Sequence, residues 1–278
     1  MGLIGAAFGL GFIVGPALGG VLSLLGGPSL AGKVVAGLCL LTALFGLLFL
    51  QETHTNLGKA RPRQSPWQSF VKSWDTPGLR NVFLAQGGAS IAMTLMESCL
   101  ILWMVDRLQW KLPDINWGFV SIGILSAFFQ GFLVRKLLPI WGERRTLLVG
   151  LLLFSLGLGL IPFWEQAWWV GLCMLFFVFG NSLTNPSLLG SVSLLSGAED
   201  QGAHLGVSQS MSSLGRIVGP ALGGALYLKY PPGAFFVAGL MGGFVWLGLF
   251  TQRRLLPDAA ALRSNSPNLA SSTEVPSR

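Results

Sequence analysis

Charged residues are scarce: Asp, Glu, Lys and Arg together make up 10% of the 278 residues, against about 25% in a soluble domain. With 52% of the chain hydrophobic and a mean hydropathy of +0.64, water is excluded as the main solvent. Cysteine is rare too. Cys39, Cys99 and Cys173 form no CxxC or Cys/His pairing that would suggest metal or redox work, and each suits a small apolar packing position. The two histidines, His54 and His204, fall in expected loops without partners. No paired acids, nucleophile or metal constellation appears, so no enzyme and no cofactor is expected.

What the chain has instead is long apolar runs. About 20 apolar residues cross a bilayer, and eight stretches qualify, at 2–25, 31–50, 80–104, 116–138, 146–164, 168–190, 206–228 and 233–251. Lipid cannot satisfy backbone polar groups, so runs of this length must be helices. The expected fold class is all-α integral membrane with eight transmembrane helices. The first run lacks a basic leader and is broken by Gly15 and Pro16, which favours a mature span over a signal peptide.

Basic residues set the expected orientation. Thirteen of the eighteen lie on one side: Lys59, Arg61, Arg63, Lys72 and Arg80, then Arg135, Lys136, Arg144 and Arg145, then Arg253, Arg254, Arg263 and Arg278. Lys33, Arg107, Lys111 and Lys229 fall on the other. This puts the 51–79 loop and the C-terminus in the cytoplasm of a multi-pass inner (plasma) membrane protein. The net charge of +7 then reflects topology and attraction to anionic lipid, with no nucleic acid needed. The 191–205 loop dissents, carrying Glu199 and Asp200 and no Lys or Arg.

The spans divide into residues 1–50, a central segment 51–79, six spans over 80–251 and a tail over 252–278. Within the central segment Trp67, Phe70, Val71 and Trp74 recur at helical spacing behind Ser65 and Pro66, predicting a short interfacial helix. The tail from Pro257 is rich in Ser, Asn and Pro and is expected to be disordered.

An internal repeat sets the architecture. IVGPALGG occurs at 13–20 and again at 217–224, so the first span matches the seventh and the unit is six helices. A period of an even number of spans makes the two copies parallel. Each copy keeps six positions: Gly2, Gly11, Gly15, Pro16, Gly19 and Gly20, then Gly206, Gly215, Gly219, Pro220, Gly223 and Gly224. Glycines four apart share a helix face and let a neighbouring backbone approach, and the proline adds a soft point.

This doubled pattern resembles the fifth-helix signature of the drug/proton antiporter branch of the major facilitator superfamily, which includes the tetracycline exporters. The resemblance covers residues 2–251. It implies a 6+6 fold in which the spans here correspond to helices 5 to 12, leaving four of the standard twelve outside this sequence. It also implies a hinge-and-seal role for both glycine signatures. Gly142, Glu143, Arg144 and Arg145 are similar to the end of the same family's cytoplasmic gate turn. The upstream Gly and Asp of that motif are absent, and Gln130, Gly131, Arg135 and Lys136 stand in that region. A basic turn that fixes topology explains the same residues.

Polar groups inside spans supply the remaining candidates. Glu97 sits well within a span, where a charge costs about 2.5–3.5 kcal/mol on insertion scales. It is either a proton-carrying or cation-binding group, or a protonated acid bonded to a neighbouring helix. Gln86 lies eleven residues earlier, three turns away on the same face. Arg216 stands where the first copy has Phe12, and either binds an anionic group or snorkels to the interface. Asn181, Thr184 and Asn185 precede Pro186, as substrate contacts or as repair of the backbone that the proline opens. Trp164, Trp168 and Trp169 fit an interfacial aromatic belt.

Two functions compete at this stage. One is proton-coupled efflux of small amphipathic or drug-like molecules by alternating access, with a small-molecule substrate, protons and the lipid bilayer as partners. The other is a shortened, transport-inactive membrane protein serving as a partner or scaffold.

Overall fold

The computed structural model describes residues 2–49, 71, 73–197 and 200–257, and every regular element among them is helical. Most of the 51–79 segment, with its expected interfacial helix and His54, lies outside the described residues, as does the tail beyond Pro257.

Helix α1 runs Gly2–Phe49 but breaks at Gly26 and Gly27, between the first two apolar runs. Gly27 has φ 71 and ψ −179, a conformation that is essentially glycine-only. Helix α2, Pro77–Asp106, opens on a proline behind extended Thr76, where the missing N–H costs nothing. Helix α3, Leu112–Phe128, continues through a π-helical turn, Phe129–Leu133, into α4, Val134–Gly159. A 3-10 turn, Ile161–Phe163, leads to α5, Ala167–Leu195, then α6, Gln201–Lys229, and α7, Pro231–Thr251. Both helices extend into the expected 191–205 loop, α5 to Leu195 and α6 from Gln201.

Five stretches among the described residues are long and apolar enough to cross a membrane: Ser29–Phe49, Pro77–Asp106, Pro113–Phe163, Ala167–Leu195 and Pro231–Thr251. The third, at 51 residues, holds two of the expected runs joined at Gly142. Helix α6 is of spanning length at 29 residues but is diluted by serine, glycine and His204.

Helix α1 packs on α3, α2 packs on α6 and α7, and α4 packs on α5 and α7. The interior has two layers. One surrounds Trp103, Phe154 and Phe235; the other surrounds Phe83, Leu147, Leu188 and Val192. The exterior is also apolar, with Leu47 85% and Phe244 70% exposed. A surface of that kind suits hydrocarbon rather than water. Lipid offers no hydrophobic drive between helices, so they associate by close packing of small residues. A Cβ at Gly157 would collide with Phe177 N, and one at Gly180 with Phe154 N, which fixes the α4–α5 contact.

Gly142 has φ 74 and ψ 164, again a glycine-only region costing other residues about 1–3 kcal/mol. Gly142→Ala is expected to lower the thermal unfolding midpoint of the purified protein. Gly243→Ala, at a glycine with nothing within 4 Å of a new Cβ, is expected to leave the midpoint unchanged.

Candidate functional site

The second glycine signature builds a seam between α2 and α6. A Cβ at Gly215 would lie 2.6 Å from Ser90 Cβ, and one at Gly223 would lie 2.6 Å from Ser98 Oγ and 2.9 Å from the Leu95 carbonyl oxygen. At Gly219 it would collide with Thr94 Oγ1 and stand 2.9 Å from Leu95 N. Contacts that advance together along both helices mean that α2 and α6 run parallel. Polar bonds reinforce the seam: Ser90 Oγ donates to the Ser212 carbonyl at 2.8 Å. Thr94 Oγ1 lies 2.8 Å from the Ser90 carbonyl in its own helix and 3.0 Å from the Gly215 carbonyl across the seam.

The signature is not used uniformly. Gly206 and Gly224 have nothing within 4 Å of an added Cβ, and neither have Gly15 and Gly19 of the first copy. The surroundings of Gly2, Gly11, Pro16 and Gly20 lie outside what is described.

Glu97 and Arg216 emerge on one flank of the seam. In the helical register set by the three glycines, Glu97 stands at the edge of the α2 contact face and Arg216 at the facing edge of α6. Both are exposed, and the Arg216 charge acts on the Glu97 carboxylate. Among the described residues neither makes an ion pair or side-chain hydrogen bond. Gln86 shares the Glu97 side of α2 but is only 9% exposed, and its Oε1 has no hydrogen-bond partner among the described residues. No acidic or basic residue occurs in α5 or α7, so neither of these neighbouring helices brings a further charge to the pair.

On α5, Asn185 Nδ2 donates to Asn181 Oδ1 at 2.9 Å, while Thr184 Oγ1 donates to the Gly180 carbonyl at 2.8 Å. The carbonyl opened by Pro186 belongs to Ser182, so these side chains do not repair it. Asn181 and Asn185 form a polar pair on a partly exposed face instead.

At the break in α4, Thr146 Oγ1 donates to the Gly142 carbonyl at 2.8 Å. Glu143 leans on α5: a Cβ at Gly190 would lie 3.4 Å from Glu143 Cγ, and Glu143 Oε2 is buried without a partner among the described residues. Arg145 is exposed and Arg144 half-buried.

Several contacts escaped the sequence reading. Tyr227 OH donates to Asp106 Oδ2 at 3.0 Å, and Arg107 pairs with Glu165 at 2.9 Å, tying the far end of α2 to α6 and to the α4–α5 connection. Trp164, Trp168 and Trp169 pack edge to face there, and Trp169 Nε1 donates to the Leu160 carbonyl at 2.8 Å. His204, expected without a partner, lies in the first turn of α6 with Nδ1 2.7 Å from Ser196 Oγ. Cys99 and Cys173 are buried as expected, but Cys39 is exposed.

Parallel helices locked by a glycine signature whose sequence also stands at residues 13–20 point to a particular family, and its model matches. The Major Facilitator Superfamily model covers residues 1–137 and 81–270. The chain belongs to the Major Facilitator Superfamily. Within it, the chain is 32% identical over 253 residues to a tetracycline resistance protein, class G, of Vibrio anguillarum, covering 88% of this chain and 61% of that protein. It is 24% identical over 234 residues to the quinolone resistance protein NorA of Staphylococcus aureus, covering 81% and 57%. Among solved structures, the human organic anion transporter MFSD10 (TETRAN) superposes with a TM-score of 0.75 at 26% identity, covering 90% of this chain and 62% of that one. The chain thus spans about three fifths of the length of these superfamily relatives.

Proposed function

We propose that this chain supplies the greater part of a proton-coupled exporter of small amphipathic or drug-like molecules, with eight spans corresponding to helices 5 to 12 of the 6+6 plan. The observation that carries this reading is the seam: its glycines hold Glu97 and Arg216 on one open flank, and its sequence recurs in α1. The resistance proteins among the relatives favour this over a transport-inactive scaffold.

Each group then has a role. Glu97 takes the coupling proton and Arg216 is its counter-charge. Neutralising Glu97 frees Arg216 to meet an anionic or polar group of the substrate, and losing the proton restores the attraction. Gln86, Asn181 and Asn185 offer neutral hydrogen bonds to the substrate. Gly11, Gly15 and Pro16 with Gly215, Gly219 and Pro220 are the hinge and seal, and Gly142 to Arg145 form the gate turn. Cargo export driven by an imposed pH gradient in membrane vesicles tests the reading.

The proposal sets the 51–79 segment and the C-terminus in the cytoplasm of the inner membrane, since cytoplasmic loops hold the excess of Lys and Arg. In a background carrying Cys39→Ser, because that thiol is exposed, Tyr230→Cys is expected to react with an impermeant thiol reagent in intact cells. Ala60→Cys is expected to react only after the cells are opened. Labelling at 60 but not at 230 in intact cells reverses the orientation.

A further inference from the structure

A cleft between α2 and α7 lies apart from the groups assigned to transport. Leu84 of α2 and Phe244, Val245 and Gly248 of α7 form its walls. Leu84 and Phe244 are 53% and 70% exposed, so the cleft opens on the outside of the bundle. Its opposite character is confined to one end, where Asn81 Nδ2 donates to Gln252 Oε1 at 2.7 Å.

Three arginines gather at that polar end. Arg80 precedes Asn81, and Arg253 and Arg254 follow Gln252 in the 3-10 turn Arg253–Leu255. This turn abuts the start of α2, since a Cβ at Gly78 would lie 3.1 Å from the Leu255 carbonyl oxygen. The Arg253 guanidinium sits 4.9 Å from the centre of the Phe250 ring. Among the described residues none of the three arginines is in an ion pair. An apolar slot facing lipid, ending beside three arginines, matches a molecule with an acyl chain and an anionic head.

We propose that this cleft binds an anionic phospholipid, its phosphate on Arg80, Arg253 and Arg254 and its acyl chain along Leu84 and Phe244. Arginine suits phosphate because its fixed fork of donors meets the oxygens in pairs. A zwitterionic lipid brings its own cation and gains less, and a soluble phosphate leaves the apolar walls unused.

Native mass spectrometry of the purified full chain tests the site with phosphatidylglycerol and phosphatidylcholine of matched chains. The wild type is expected to retain phosphatidylglycerol about tenfold better, a difference of about 1.4 kcal/mol. Arg80→Gln combined with Arg253→Gln and Arg254→Gln is expected to erase that preference without lowering phosphatidylcholine retention. Leu84→Trp, which fills the slot from an exposed position, is expected to reduce retention of both lipids. Equal retention of the two lipids by the wild type overturns the site, as does a preference that survives loss of all three arginines. Displacement of the lipid by millimolar glycerol phosphate would show that only a phosphate is read, and would also overturn it. None of these outcomes bears on whether the protein exports anything.

Discussion

Gly219→Val is expected to separate α2 from α6 and abolish export, whereas Gly224→Val leaves both folding and export intact. At Gly219 the atoms in the way are backbone, Leu95 N at 2.9 Å and the Ile91 carbonyl oxygen at 3.0 Å, together with Thr94 Oγ1. Backbone atoms cannot rotate aside as a side chain can. Forcing extra methyl groups into a packed contact costs about 1–3 kcal/mol even where side chains yield, so the upper end of that range or more applies. The loss spreads, because separating the helices also breaks the bonds from Ser90 to the Ser212 carbonyl and from Thr94 to the Gly215 carbonyl. Gly224 is the matched control, with nothing within 4 Å. The thermal unfolding midpoint reads the packing, and vesicle export reads its consequence.

Glu97→Gln is expected to abolish gradient-driven export while expression, insertion and the unfolding midpoint stay at wild-type values. The amide keeps the shape of a protonated carboxyl and most of its hydrogen bonds, so a purely structural glutamate would tolerate it. What it removes is the ability to gain and lose a proton. Keeping an ionisable group within a span costs about 2.5–3.5 kcal/mol, and in the structure no partner within the described residues offsets that cost directly. Arg216→Gln removes the counter-charge but leaves the proton site, so export should survive with an altered pH dependence. Wild-type export by the Glu97→Gln variant would take Glu97 out of the mechanism and leave the seam as a structural feature alone.

How much of this was legible in the sequence depends on whether a residue's partner is local. The glycine signature announced a helix contact, and Gly215, Gly219 and Gly223 make it because four-residue steps stay on one face. Gly206 and Gly224 belong to the same written pattern but point elsewhere: nine residues before Gly215 is half a turn away from its face, and Gly224 is one step past Gly223. Gln86 and Glu97 were placed on one side of α2 by helical arithmetic, but their unequal burial depends on neighbouring helices that the arithmetic does not contain. The partners Asn81 with Gln252 and Asp106 with Tyr227 are separated by 171 and 121 positions; no local pattern connects them. His204 was misplaced because serine and glycine around it read as loop, whereas α6 starts at Gln201 and turns the ring toward Ser196. The break at Gly142 was visible as a glycine before a charged run, and its positive φ is why glycine is there.

The central claim is that this chain couples a proton gradient to export, and it is tested most directly with the protein expressed from its complete gene in everted membrane vesicles. The measurement is uptake of a fluorescent amphipathic dye into the vesicles, which corresponds to export from cells, at a series of imposed pH gradients with no other energy source. Uptake that rises with an inward-acid gradient and stops when a protonophore is added is the predicted result. Uptake that is the same with and without the gradient would contradict it.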